Sequence, residues 1–357
     1  MINSNIELRK CIDYANRSDA EQGFEEWLVK SKSPIALIFV EGFEERSLGI
    51  AEKLVQSGMK VSGVVLGRYI NKLELNKKYR ARFEKLADTA SHGNWQVVEN
   101  RNDGLWVEEA LGWLDGSNVL LDITGMSNRG LFGALDAAAA ACRSGRNVYV
   151  SYSEPKVYWP KFEHWESIKQ DLSGKTGTTI SELVDKAPWL FGYEHRVELV
   201  SGHEGYDSPG NGRALIGFLP FKPARLAAIL SQENYSEIVF VAGRPRLPEN
   251  AWRLSALREM NSSLISDWNI VEMSTFSYRS AVKEITELLF VKPSLLEAYN
   301  VHMAVLGSKL QTIACWAVSS LVSSVTMVTS IPATYFPESF SDGIGVSWIF
   351  KLLSPNA

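Results

Sequence analysis

The chain has 357 residues, of which 45% are hydrophobic and 22% charged, and its net charge is -4. This balance belongs to a globular protein long enough for two domains and excludes a disordered or fibrous chain. No basic excess of the kind that marks nucleic-acid binding is present, so direct DNA contact is not expected.

The N-terminal stretch "MINSNIELRKCIDYANRSDAEQ" is polar and cannot serve as a signal peptide. Cys11, Cys142 and Cys315 lie far apart with no Cys-x-x-Cys spacing. No disulfide framework or metal site follows from them, and a reducing cytoplasm is the expected compartment.

From Pro34 the chain alternates. "PIALIFV" is an apolar, β-branched strand, and "RSLGIAEKLVQSG" is an amphipathic helix closed by Gly58. "KVSGVVLG" is the next strand, followed by the charged helical stretch "NKLELNKKYRARFEKLADTA". "WQVVEN", the helix "GLWVEEALGWLDG", the strand "NVLLDIT", a helix of small residues and "RNVYVSYS" complete the set. Apolar strands separated by helices imply a parallel sheet covered on both faces.

The rhythm breaks after Trp159. "SGKTGTTISELVDKAPW" reads as a linker helix and "EHRVELVSGHEGYDSPGNGR" as a loop. Alternation then restarts with the strands "ALIGFLPF", "EIVFVAG", "WNIVEMST", "HMAVLGS" and "SVTMVTS", separated by helices. The segment "IACWAVSSLVSSVTMV" carries serines and is too short for a membrane span, so it reads as a helix running into a buried strand. The expected division is a first unit over 1–165 with a helical extension over 1–30, a linker over 166–210, and a second unit over 211–357.

Landmarks recur in the same order in both halves. "EGFEERSLG" answers to "IGFLPFKPARL", "DITGMSNRGL" to "AVLGSKLQTI", and "EPKVYWP" to "IPATYFP". The last pair keeps Pro155/Pro332, Tyr158/Tyr335 and Pro160/Pro337 without a gap, and Gly42 and Gly217 head nearly equal spacings. The fold class expected is α/β, with two Rossmann-like units of mainly parallel strands related by internal duplication.

Ligands of open α/β sheets sit beyond the carboxyl ends of the strands, where a helix N-terminus offers free N–H groups. In the first half Thr124 and Ser127 supply hydroxyls there, Gly125 conformational freedom, Asn128 an amide and Arg129 a charge. Gly307, Ser308 and Lys309 are their counterparts in the second half. Arg46 and Ser47, and likewise Lys222 and Arg225, follow the first strand of each half and face the same crevice. Capping of the helix by Ser127 or Asn128 is the simpler reading of that turn. Asp122 suits such a site only if it pairs with Arg129 or Arg46, or meets a ribose hydroxyl. Glu44 and Glu45 read as acidic residues complementing a helix dipole on a solvated face. Tyr158, Trp159, Tyr335 and Phe336 suit packing more than stacking on a base, with Glu338 and Asp342 near the same rim. His195 and His203 sit among charges but match no His-x-x-x-His or His-Glu-x-x-His spacing, so neither a metal nor a catalytic residue is assigned. There is no Gly-x-Ser-x-Gly elbow, Walker loop or Gly-x-Gly-x-x-Gly turn, which speaks against a serine hydrolase, a P-loop NTPase and a standard NAD dehydrogenase.

"DITGMSNRGLFGAL" resembles the strand-to-helix motif of CARF domains, the Rossmann-like sensors of cyclic oligoadenylates in CRISPR-associated and related prokaryotic defence proteins. Asp122, Thr124 and Gly125 match that motif, Ser127 takes its Thr position, and Asn128 stands where the family has Lys. "LGSKLQT" keeps the Lys as Lys309 but lacks the Asp-x-Thr. The resemblance implies a cytoplasmic sensor that binds a nucleotide, cyclic or otherwise, at Arg46, Ser47, Thr124, Gly125, Ser127, Asn128, Arg129, Lys222, Arg225, Gly307, Ser308 and Lys309. It implies no cofactor, a protein partner that receives the signal, and room for homo-oligomerisation. Two other functions compete: a ring-nuclease-like phosphodiesterase that cleaves the bound nucleotide, and a non-catalytic assembly protein of a defence complex.

Overall fold

The computed structural model describes all residues except 1, 32, 71–72, 102, 173–181, 183–184, 188–194, 266–268, 334–339 and 356–357. Tyr335, Phe336, Pro337 and Glu338, and most of the expected linker helix, lie outside the described residues.

The chain is α/β and forms two Rossmann-like units, each with its own mainly parallel sheet. The first unit comprises Ser18–Trp159 and Phe340–Ala357, the second Met1–Arg17 and Pro160–Ser339. The division differs from the expected one at both termini. The first helix, Ile2–Arg17, belongs to the second unit, where it packs on the helices Tyr278–Val291 and Lys309–Leu321. Its sequence shows why: Leu8, Cys11, Tyr14 and Ala15 form one buried stripe at helical spacing. The C-terminal segment returns to the first unit because Ile349, Phe350 and Leu352 are buried there. The expected linker is also partly structural. The helix Phe162–Leu172 buries Trp165 and Ile168 against Ala256 and Met260 of the second unit.

In the first unit the parallel strands are β2 (Ile35–Val40), β3 (Val61–Tyr69), β4 (Trp95–Asn100), β5 (Asn118–Asp122) and β6 (Asn147–Tyr158). Among the described residues the sheet order is β1-β13-β6-β5-β2-β3-β4, where β1 is Gln22–Gly23 and β13 is Ser341–Lys351. β13 runs antiparallel to β6, and β1 antiparallel to β13. β2 is buried at every position, as a central strand covered on both faces must be. Its Ile35, Leu37 and Phe39 join Phe24, Trp27, Leu54 and Phe83 in one core. The adjoining helices Leu105–Trp113 and Asn128–Arg143 touch through glycine. A Cβ on Gly104, whose φ is +79°, would stand 2.3 Å from the carbonyl carbon of Gly133.

In the second unit the parallel strands are β8 (Gly212–Phe218), β9 (Tyr235–Arg244), β10 (Ile270–Ser274), β11 (Tyr299–Ala304) and β12 (Val325–Pro332). Their order is β10-β9-β8-β11-β12, with β7 (His195–Leu199) antiparallel at the edge beyond β12. The segment "HRVEL", expected within a loop, is thus a strand, because the exposed edge of β12 offers it a ladder. The helix Lys309–Leu321 is almost wholly buried and leads into β12, as expected. No helix among the described residues is long and apolar enough to cross a membrane.

Among the described residues, both units thus order their five parallel strands identically, with an antiparallel strand beyond the fifth. The ladders give the equivalences. Asp122 lies opposite Ser151, and Ala304 opposite Val328, so Ser153 corresponds to Ser330 and Pro155 to Pro332. One sequence landmark shifts. Val40 pairs with Gly67 and Phe218 with Val241, which makes Pro220, not Gly217, the counterpart of Gly42.

Candidate functional site

The crevice in each unit lies between the first and fourth strands of the parallel order, where the connections leave in opposite directions: β2 and β5, and β8 and β11. The turns beyond these strands carry the residues singled out from sequence.

In the first unit the two turns meet at their glycines. A Cβ on Gly125 would lie 2.5 Å from the Val40 carbonyl oxygen, and one on Gly42 would lie 2.6 Å from Ser47 Oγ. Ser47 is 1% exposed, and its hydroxyl has no hydrogen-bond partner among the described residues. Thr124 turns inward. Its hydroxyl donates to Asp122 Oδ1 over 2.5 Å and accepts from the Ser153 N–H over 2.9 Å, tying β5 to β6. Its own N–H also donates to Asp122 Oδ1. Asp122 therefore helps hold the turn in shape. Ser127 caps the helix Asn128–Arg143 by accepting from the Gly130 N–H over 3.0 Å, as the simpler reading expects. The Ser127 N–H donates to Tyr69 Oη over 2.8 Å, so a phenol already stands on an amide that a ligand oxygen would use. Asn128 and Arg129 are the first two residues of the helix and are half-buried.

Arg46 is committed as well. It is 9% exposed, and Nε and Nη2 reach the two carboxylate oxygens of Glu44 over 2.9 and 3.0 Å. Its Nη1 donates to Tyr152 Oη over 2.8 Å and to the Ser153 carbonyl over 3.3 Å. Burial opposes the Arg46 charge, but Glu44 and Tyr152 outweigh it and raise the pKa of the guanidinium. Glu44, expected on a solvated face, is mostly buried and also accepts from Ser341 Oγ of β13. Glu45 alone fits the expected surface role, facing Arg82 at 3.3 Å.

Beside this crevice lies a polar knot that sequence reading passed over. Glu41, the residue after β2, is fully buried and accepts from Arg68 Nε over 2.7 Å and Arg80 Nε over 3.0 Å. Arg68 continues to Glu84 over 2.6 Å. Two carboxylates and two guanidiniums neutralise one another there. The acidic run Glu41-x-x-Glu44-Glu45 was visible in sequence, but its partners are brought in only by the fold.

In the second unit the comparable turn carries cations without the acidic run. Arg225 Nη2 donates to the Ser330 carbonyl over 3.1 Å. Ser330 is the ladder equivalent of Ser153, so Arg225 repeats the Arg46–Ser153 contact. Lys222 stands where the first unit has Glu44 in the turn, and both Lys222 and Arg225 are half-buried. Gly307 and Ser308 form the facing turn. Ser308 caps the helix Lys309–Leu321 in a reciprocal capping box with Gln311, and its hydroxyl also donates to the Thr275 carbonyl over 2.7 Å. Gln311 is 2% exposed, and its Nε2 has no acceptor among the described residues. Lys309 opens the helix at this end.

His195 begins β7 and so lies at this same carboxyl end, opposite Pro332. Its Nδ1 lies 3.1 Å from Ser330 Oγ. Burial, Arg225 and Lys222, in that order, push its pKa below the ordinary value. His203 lies beyond the other end of the strand, with Nδ1 2.6 Å from Ser319 Oγ, so the two histidines form no cluster. Tyr158 ends β6 beside β13, and the backbone N–H of Trp159, the next residue, donates to the Phe340 carbonyl.

No family model matches the sequence, and no curated protein matches it. Solved structures similar to the chain include the spermidine synthase of Thermotoga maritima, at 11% identity and TM-score 0.20, over 47% of this chain and 47% of that one. A SAM-dependent methyltransferase of Anabaena variabilis ATCC 29413 is similar at 10% identity and TM-score 0.23, over 55% of this chain and 85% of that one. The match spans about half the length of the synthase.

Proposed function

We propose that the protein is a nucleotide-binding regulatory module, of the kind the likeness to CARF domains implies, which takes its ligand at the carboxyl end of the second unit's sheet and passes the signal to a protein partner. The observation that carries this reading is a difference in the turns that face two equivalent carbonyls, those of Ser153 and Ser330. In the first unit the arginine on the Ser153 carbonyl is bound by the carboxylate of Glu44. In the second unit the arginine on the Ser330 carbonyl has Lys222 in that turn instead, with Lys309 at the neighbouring helix start. A crevice with cations, a helix N-terminus and a glycine turn attracts a phosphate group. The first crevice already contains its anion. The shared strand order and the repeated arginine contact support internal duplication, with Glu44 in the turn of one copy and Lys222 in that of the other.

Isothermal titration against a panel of mono-, di- and cyclic nucleotides tests this. One ligand per chain is expected, lost on Lys222→Ala with Arg225→Ala. Failure of the folded protein to bind any member overturns the reading. Chromatography of the ligand after incubation distinguishes sensing from cleavage.

A further inference from the structure

Resting on that reading, we propose that His195 is a further ligand-binding residue of the second unit's site, neutral when the site is empty and protonated onto the ligand when an anion is bound. The residue was not among those picked out by motif, because β7 reaches the site only by pairing with β12.

The placement starts from Ser330. One residue holds two groups: its carbonyl accepts from Arg225 Nη2, and its hydroxyl meets His195 Nδ1. The imidazole is therefore fixed beside the guanidinium by a shared partner. The other ring nitrogen, Nε2, is buried and has no hydrogen-bond partner among the described residues. A buried ring nitrogen without a partner is costly, and a ligand oxygen would supply one.

The charges around the ring decide its state. The helix Ala224–Gln232, which packs on both β7 and β12, brings Arg225, and the loop before it brings Lys222. β12 contributes the Ser330 hydroxyl. On β7 itself, Arg196 and Glu198 alternate to the opposite face from His195 and pair with each other. Burial and two cations thus disfavour imidazolium in the free protein. A phosphate bound to Lys222 and Arg225 reverses that field. The ring then takes one proton from solvent, and both nitrogens donate: Nδ1–H to Ser330 Oγ and Nε2–H to the ligand oxygen. No covalent bond changes, and the bound anion gains a third cation.

Linkage gives the sign. Because the pKa of His195 rises on binding, affinity increases as pH falls through the interval between its bound and free values. The probe is inorganic pyrophosphate, titrated calorimetrically at about pH 6.5 in two buffers of different ionisation enthalpy, with the intact chain and with His195→Gln. Comparing the two proteins cancels pyrophosphate's own titration. The intact chain is expected to take up more protons per anion bound, by up to one, and to gain up to tenfold more affinity per pH unit. The nuclear magnetic resonance of the His195 ring in the intact chain keeps the test independent of the variant's folding: its titration midpoint is expected to move upward when pyrophosphate is added. Equal proton uptake by the two proteins, or an unmoved midpoint despite binding, overturns the role of His195 and leaves the anion site standing. No pyrophosphate binding by the folded chain overturns both.

Discussion

Arg225 donates to the carbonyl oxygen of Ser330 over 3.1 Å, in the same ladder position where Arg46 donates to Ser153 over 3.3 Å. The contact is shared, but the residues in the turn beside it differ. Around Arg46 lie Glu44 and Tyr152, and around Arg225 lie Lys222 and His195.

Replacing each arginine by alanine should therefore have different consequences. Arg225→Ala should cost about 1.5–3 kcal/mol of anion affinity, the range for a charged hydrogen bond, with little change in Tm. Arg46→Ala should leave Glu44 mostly buried without its guanidinium and lower stability by about 3–5 kcal/mol. Titration calorimetry and thermal denaturation of the two variants separate these effects. Equal losses of Tm would show that the two arginines share one role.

Glu41→Ala removes the acceptor on which Arg68 and Arg80 converge. The loss should be about 3–5 kcal/mol in urea unfolding, because two partly buried cations lose a fully buried counter-charge. Glu41→Gln, which keeps one acceptor, should cost less.

The closeness of the two turns of the first unit is testable at Gly125 and Gly42. Alanine at Gly125 meets the Val40 carbonyl, which is backbone, so a loss of about 1–3 kcal/mol is expected. Alanine at Gly42 meets the Ser47 hydroxyl, which can be removed. The double variant Gly42→Ala with Ser47→Ala should therefore recover part of the loss in a thermodynamic cycle.

Removal of residues 340–357 should unfold the first unit and spare the second. The deletion takes out β13, which lies between β1 and β6 and buries Ile349 and Phe350. Hydrogen exchange should lose protection in β5 and β6 while β8 and β11 keep theirs. Uniform loss in both sheets would contradict the division into units.

The pH dependence of the second unit follows from His195 and His302. Burial is the first cause in each case, and both pKa values lie below the ordinary one. The unfolded chain thus binds more protons as pH falls through the ordinary histidine range. The contribution of these residues to stability is fully present above about pH 6.5 and declines below it. Denaturation at pH 7.5 and 5.5 should show that decline, and His302→Gln, near Tyr235 Oη at 3.2 Å, should make it smaller.

Much of the fold was legible residue by residue. The apolar runs at Ile35, Val61, Asn118 and Val325 became strands because a buried parallel strand needs nothing beyond local apolarity. Ser127 and Ser308 became helix caps because capping is decided within four residues. β7 and β13 were not legible. Each pairs antiparallel with a strand far along the chain, and in each the apolar residues are interrupted by polar ones or glycine.

The site divided along the same line. The glycine turns, the cations and the helix starts followed from sequence, since each is a local choice of residue. The direction each side chain takes did not. Thr124 points into the ladder, Arg46 is bound by Glu44, and His195 reaches the crevice through an edge strand. Sequence alone determined two α/β units and the ends of their strands. Only tertiary structure decided that Glu44 binds Arg46 and meets Ser341, because charge pairing depends on partners that the chain brings together from as far apart as Glu44 and Ser341.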